Sequence, residues 1–155
     1  MKPEDFDIPE CRVPFAQEGY DLMGGAFEVH REVGGGLLED IYQECLENEL
    51  ERRSIPFVAK QEIAVFYKGR ELRKRYVPDL YVYNTIVVEL KSLSALASDH
   101  QGQLMNYMRL SRKPVGYLIN FGPAKEVEWR RLVLSEFVDL SKRKPIQPRQ
   151  ERRRA

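Results

Sequence analysis

Two short apolar runs, Ile86 to Lys91 and Val115 to Asn120, flank a stretch from about Ser98 to Arg112 that has helical character, and this order leaves few folds open. Buried strands joined through a helix cannot form a hairpin. They lie parallel, and the connecting helix crosses one face of the sheet in a right-handed sense. Lys113-Pro114 stops the helix just before the second run. An α/β fold is therefore expected, with Ile86–Lys91 as a central strand.

The remaining elements are placed around this unit. From Gln17, residues Leu22, Ala26, Val29 and Val33 recur at helical spacing, and Gly34-Gly35-Gly36 ends that helix because glycine takes a left-handed cap without steric cost. A second helix is expected from about Leu37 to Arg53, burying Leu38, Ile41, Cys45, Leu46 and Leu50. Pro56 breaks it. Ile63 to Tyr67 reads as a strand, Lys68-Gly69-Arg70 as a hairpin turn, and Glu71 to Tyr76 as the returning strand. Asp79 to Tyr83 follows, either as a separate strand or as a continuation bent at Pro78, since proline cannot donate to a ladder. Asn84-Thr85 turns the chain into Ile86, and Arg131 to Leu134 forms a last short strand. The core order is α-α-β-β-β-α-β, a mixed β-sheet flanked by helices. Residues 17–140 form the expected domain, 1–16 a proline-bearing arm, and 141–155 a basic tail.

Charge and cysteine content narrow the function classes. Seven basic residues against one acid give residues 141–155 a charge of +6, so with a net charge of +1 the rest of the chain carries −5. An acidic body with a basic tail suits a metal site and a phosphate-binding arm. Cys11 and Cys45 are two thiols, too few for an iron–sulfur cluster or a four-thiolate zinc site. No run approaches the ~18 apolar residues needed to span a bilayer. The acidic start is a poor secretory or transit signal, so a cytoplasmic protein without membrane association is expected.

The chemistry lies on the central strand. Side chains alternate along it, so Ile86, Val88 and Leu90 share one face and Val87, Glu89 and Lys91 the other. Two charges on an otherwise apolar strand are costly unless paired or solvated. An ion pair between Glu89 and Lys91 would satisfy that condition alone. A hairpin through Asn84-Thr85, however, also brings Asp79 near Glu89. Neighbouring carboxylates repel and favour a cation between them, and oxygen ligands suit Mg²⁺ or Mn²⁺. Glu39 and Tyr42 share a face of the second helix. His100, Gln103 and Tyr107 fall within roughly a 60° arc of the helix that follows Lys91.

With these residues in place the chain resembles the GxxExxY proteins, a bacterial group within the PD-(D/E)XK nuclease-like superfamily. Gly36, Glu39 and Tyr42 match the name-giving motif. Pro78-Asp79 and Glu89-Leu90-Lys91 match the two core motifs, and Gln103 with Tyr107 matches the glutamine-x-x-x-tyrosine motif of the RecB-like branch. The resemblance covers about residues 20–135. It implies a restriction-endonuclease-like core in which Glu39, Asp79 and Glu89 surround the metal and Lys91 serves the attacking water. Gln103 and Tyr107 would orient substrate or support the site, and His30 is a further candidate ligand. The implied activity is hydrolysis of phosphodiester bonds in nucleic acid, DNA above all, through a water activated by Mg²⁺ or Mn²⁺. Arg109, Arg112 and Lys113 are candidates for contacts to backbone phosphates. The competing expectation is a catalytically silent nuclease fold that binds nucleic acid or regulates, and a homodimer is compatible with either.

Overall fold

The central strand pair is parallel, as the crossover demands. In a computed structural model, which describes residues 14–138, β5 (Ile86–Lys91) pairs with β6 (Val115–Asn120) in parallel register, Glu89 opposite Leu118 and Lys91 opposite Asn120. The helix between them is α3 (Ser98–Ser111). Before β5 come α1 (Ala16–Val33), α2 (Glu39–Arg52), β1 (Phe57–Ala59), β2 (Ile63–Tyr67), β3 (Arg70–Tyr76) and β4 (Leu80–Val82), and β7 (Glu128–Val133) follows β6. The main sheet has five strands in the order β1-β4-β5-β6-β7, mixed in direction, while β2 and β3 form a separate two-stranded sheet. The arm of residues 1–16 and the tail of 141–155 lie almost wholly outside the described residues, as does Cys11; Cys45 is a free thiol.

Alternation along β5 builds two cores. Ile86, Val88 and Leu90 face α1 and α2, where they meet Leu22, Met23, Ala26, Leu46 and Leu50. Val87 faces the other way, toward Leu104 and Met108 of α3 and Ile63 and Val65 of β2. Glu89 and Lys91 therefore emerge on the α3 face, at the carboxyl end of the strand. Trp129 stacks its ring on Tyr117, with centroids 5.9 Å apart.

Two expectations need correction, and one open alternative is decided. β1 is an added strand at the sheet edge. Of the two readings of Asp79 to Tyr83, the separate strand is the one found: β3 and β4 belong to different sheets, with Pro78 between them. The buried side of α2 is Tyr42, Leu46 and Leu50, while Leu38 and Ile41 are exposed. Tyr42 sets this rotation. It stacks flat on Phe121, and its hydroxyl donates to the Gly34 carbonyl at 2.5 Å and accepts the Leu37 N–H at 3.1 Å. Swinging Ile41 inward would pull that hydroxyl from both partners.

Candidate functional site

The short α1–α2 loop fixes where α2 begins, and so where Glu39 stands. A side chain on Gly35 would put its Cβ 2.4 Å from the Pro123 carbonyl oxygen, and Gly36 has φ +84°, which favours glycine. Ser92 Oγ donates to the Leu37 carbonyl, tying the loop to the chain just beyond Lys91. Glu39 thus opens α2 at the carboxyl end of β5. Burial, and then the charge of Asp79, hold its carboxyl above the ordinary carboxylate range.

Asp79 precedes β4, whose register with β5 puts Leu80 opposite Val88. Its Oδ2 accepts the Leu90 N–H at 2.7 Å, and its backbone carbonyl accepts from Gln43 Nε2 at 3.0 Å and from the Lys60 N–H at 3.2 Å. Its Oδ1 is paired with Lys60 Nζ. Lys60 has φ +56°, and this turn off the end of β1 brings it back onto Asp79. Burial works against the Lys60 ammonium, but Asp79 outweighs it and raises the lysine above its ordinary value.

Glu89 is half-buried, and its Oε2 accepts from the Tyr76 hydroxyl at 2.9 Å. Tyr76 is buried and stacks flat on Tyr107, centroids 4.6 Å apart. Burial, reinforced by the charge of Asp79, pushes the Glu89 carboxyl up to about 7. Glu89, Lys91, Gln103 and Tyr107 line one cleft of about 210 Å³, together with Arg75 and His100. His100 Nδ1 accepts the Ala97 N–H at 2.9 Å, capping α3, so a neutral ring carries its proton on Nε2.

The structure brings Asp79, Glu89, Lys91, Gln103, Tyr107 and Glu39 to one end of the sheet, but not the other expected residues. His30 Nε2 is hydrogen-bonded to the Pro123 carbonyl at 2.8 Å, joining α1 to the β6–β7 loop. Arg112 lies 4.4 Å from the Phe66 ring centroid and Lys113 5.3 Å from that of Tyr81, while Arg109 bonds Asn106 at 3.0 Å. These three cations sit at the far end of α3 from His100, and burial lowers the Lys113 ammonium. Sequence reading missed Lys60, Arg75 and Tyr76. Only Tyr76 had a signal, an aromatic two residues before Pro78 at the end of a strand that is otherwise charged apart from Leu72.

Three carboxylates, two of them raised by burial and then by the charge of the third, are the donor chemistry of a hard divalent cation. Among the described residues no three His, Cys, Asp or Glu side chains converge into a group able to enclose an ion. In this arrangement the Lys60 ammonium stands on an Asp79 oxygen that an ion would take, and its side chain, 56% exposed, is free to leave it. Enclosing a divalent cation would require Lys60 to move and the three carboxylates to draw together. Lys60→Met should therefore tighten Mn²⁺ binding by about fivefold, the worth of a half-exposed ion pair. Calorimetric titration reads this directly, and weaker binding in the variant would refute it.

A larger groove of about 660 Å³ runs between α1 and α2. Two of its four carboxylates, Glu28 and Glu49, are paired with Arg31 and Arg53, and no lysine lines it.

The PD-(D/E)XK nuclease superfamily model matches residues 16–132. Among solved structures, the crystal structure of SSO0001 is similar at 19% identity with a TM-score of 0.48, over 70% of this chain and 57% of that one, too slight a likeness to carry an argument. No curated protein matches.

Proposed function

The chain belongs to the PD-(D/E)XK nuclease superfamily, and from that premise we propose that it is a divalent-metal-dependent nuclease acting on nucleic acid, DNA above all. The observation that carries this reading is the cleft in which Glu89 and Lys91 face Gln103 and Tyr107, with Asp79 pinned beside them. Nucleases of the superfamily generally use divalent metals. A bound Mg²⁺ or Mn²⁺ would lower the pKa of water and neutralise charge on the scissile phosphate.

The residues divide this work. Glu39, Asp79 and Glu89 would hold the ion. The Leu90 N–H and the Gln43 amide fix the Asp79 side chain and carbonyl, so that little reorganisation is needed on binding. Lys91 extends from the same strand face as Glu89 and would steady the attacking water and a phosphate oxygen. Tyr76 holds Glu89, and Tyr107 holds Tyr76 through their stacked rings. Gln103 would orient the substrate from α3. A second reading, a silent nuclease fold that binds nucleic acid, draws support from the Lys60–Asp79 ion pair, which closes one ligand oxygen.

The deciding experiment incubates the protein with labelled single- and double-stranded DNA and RNA, with Mn²⁺, Mg²⁺ or EDTA. Cleavage that requires the ion, and falls by about 10²–10⁴-fold in Lys91→Ala with a similar loss in Asp79→Ala, is the expected result. Binding of nucleic acid without cleavage under any ion selects the silent reading.

A further inference from the structure

The β2–β3 hairpin concentrates positive charge in a chain that is otherwise acidic. Residues 63–76 hold five basic side chains (Lys68, Arg70, Arg73, Lys74, Arg75) against one acid, Glu71. That is +4. With +1 for the whole chain and +6 for the tail, everything else carries −9. The charge is also outward. Every residue from Arg70 to Arg75 is exposed, while the buried side of the hairpin, Ile63, Val65 and Tyr76, packs toward α3.

The hairpin is not a regular ribbon. Ala64 pairs with Arg75 and Phe66 with Glu71, so Leu72, Arg73 and Lys74 together oppose Val65 alone. Arg75 Nη1 reaches back past the bulged residues to Glu71 Oε2 at 2.5 Å. The bulge leaves Leu72, Arg73 and Lys74 without partners across the hairpin, while Arg75, at its base, lines the cleft with Glu89 and Lys91. The cations therefore run from the hairpin turn, over the bulge, into the cleft.

We propose that the bulged β2–β3 hairpin is the surface that binds the phosphate backbone of a nucleic acid, with Arg75 leading the backbone to the acids of the cleft. The proposal rests on the nuclease reading and names the surface that the cations at the end of α3 do not supply. No base-reading contact is required, so binding should be tolerant of sequence and strongly dependent on salt.

Fluorescence anisotropy with a labelled duplex DNA and a labelled single-stranded RNA, in EDTA to prevent turnover, tests this. Arg70→Ala/Arg73→Ala/Lys74→Ala should weaken binding at least tenfold at moderate salt. Its plot of log affinity against log salt should flatten by about 2.7, from three lost phosphate contacts at ~0.9 each. A control of equal charge loss, Arg31→Ala/Arg52→Ala/Arg53→Ala on the far helices, should bind within about twofold of the parent. All six side chains are exposed or half-exposed, and a thermal melt confirms that each variant is folded. Unchanged affinity and slope in the hairpin variant, or an equal loss in the control, would overturn the proposal and leave the nuclease reading standing. A parent protein that binds neither probe would overturn both.

Discussion

Glu89→Gln should abolish metal-dependent cleavage and, at the same time, raise the melting temperature of the metal-free protein above neutral pH. Glu89 is held at about 7 by burial and by Asp79, against an ordinary value of 4.5. The folded protein therefore takes up a proton at this position that the unfolded chain lacks between those two values. The contribution to stability is fully present below pH 4.5 and is lost as pH rises through about 7, where the folded state must carry a half-buried carboxylate beside Asp79. Glutamine keeps the shape and the acceptor for the Tyr76 hydroxyl without the charge. The gain is ~2 kcal/mol above pH 7, after discounting for coupling to Asp79, or about 5 °C in Tm. Melts in EDTA across the acid-to-neutral range are the measurement. Parent and variant should converge at the acid end and separate through neutrality. Parallel profiles would show that Glu89 is not the strained acid described here. The same proton makes metal binding pH-dependent, because an ion must displace it below pH 7, and Mn²⁺ affinity should rise with pH up to that point.

A stabilising substitution that removes activity is the mark of a site assembled against folding stability. It also explains which parts of the molecule were legible in the sequence. The β5–α3–β6 crossover was legible because buried strands read as apolar runs, and Glu89 and Lys91 stood out against that background. The nearness of Asp79 and Glu89 was legible through the turn at Asn84-Thr85, where Tyr83 and Asn84 have positive φ and the Thr85 N–H bonds the Val82 carbonyl at 3.1 Å. Phase and partnership were not legible. Period alone gave α2 its helix but not its rotation, which depends on Tyr42 finding Gly34 and Phe121. β1 is three residues long and exists as a strand only through β4, so nothing local marks it, and Lys60 at its end was missed for the same reason. Arg112 and Lys113 looked like free cations in sequence. Two aromatic rings from other strands occupy them, and no helix-local pattern could reveal that.

Asn120→Leu should be the most destabilising single polar substitution near the site, although Asn120 carries no chemistry. It is fully buried at the end of β6, opposite Lys91. Its Oδ1 accepts the Leu93 N–H at 2.8 Å and the Gly122 N–H at 3.1 Å. Its Nδ2 donates to the Leu93 carbonyl and to Glu128 Oε1, both at 3.1 Å. Glu128 Oε1 in turn accepts the Leu96 N–H at 2.9 Å. One side chain thus clamps the segment that carries the chain from Lys91 to α3. Leucine keeps the branched shape but makes none of these bonds, and each buried group left without a partner costs ~1–3 kcal/mol. With some relaxation the total is ~3–4 kcal/mol, a fall of about 10 °C in Tm. Gly122→Ala tests the same clamp by a different route: its Cβ would stand 1.9 Å from the Leu93 carbonyl oxygen, which is backbone and cannot move without carrying the segment with it. Thermal melts of both variants should show comparable losses, and Mn²⁺ binding well below either Tm should weaken as Lys91 and Glu89 lose their fixed exit from the sheet. A melting temperature for Asn120→Leu within about 2 °C of the parent would mean that solvent reaches these groups and that the strand end is held elsewhere.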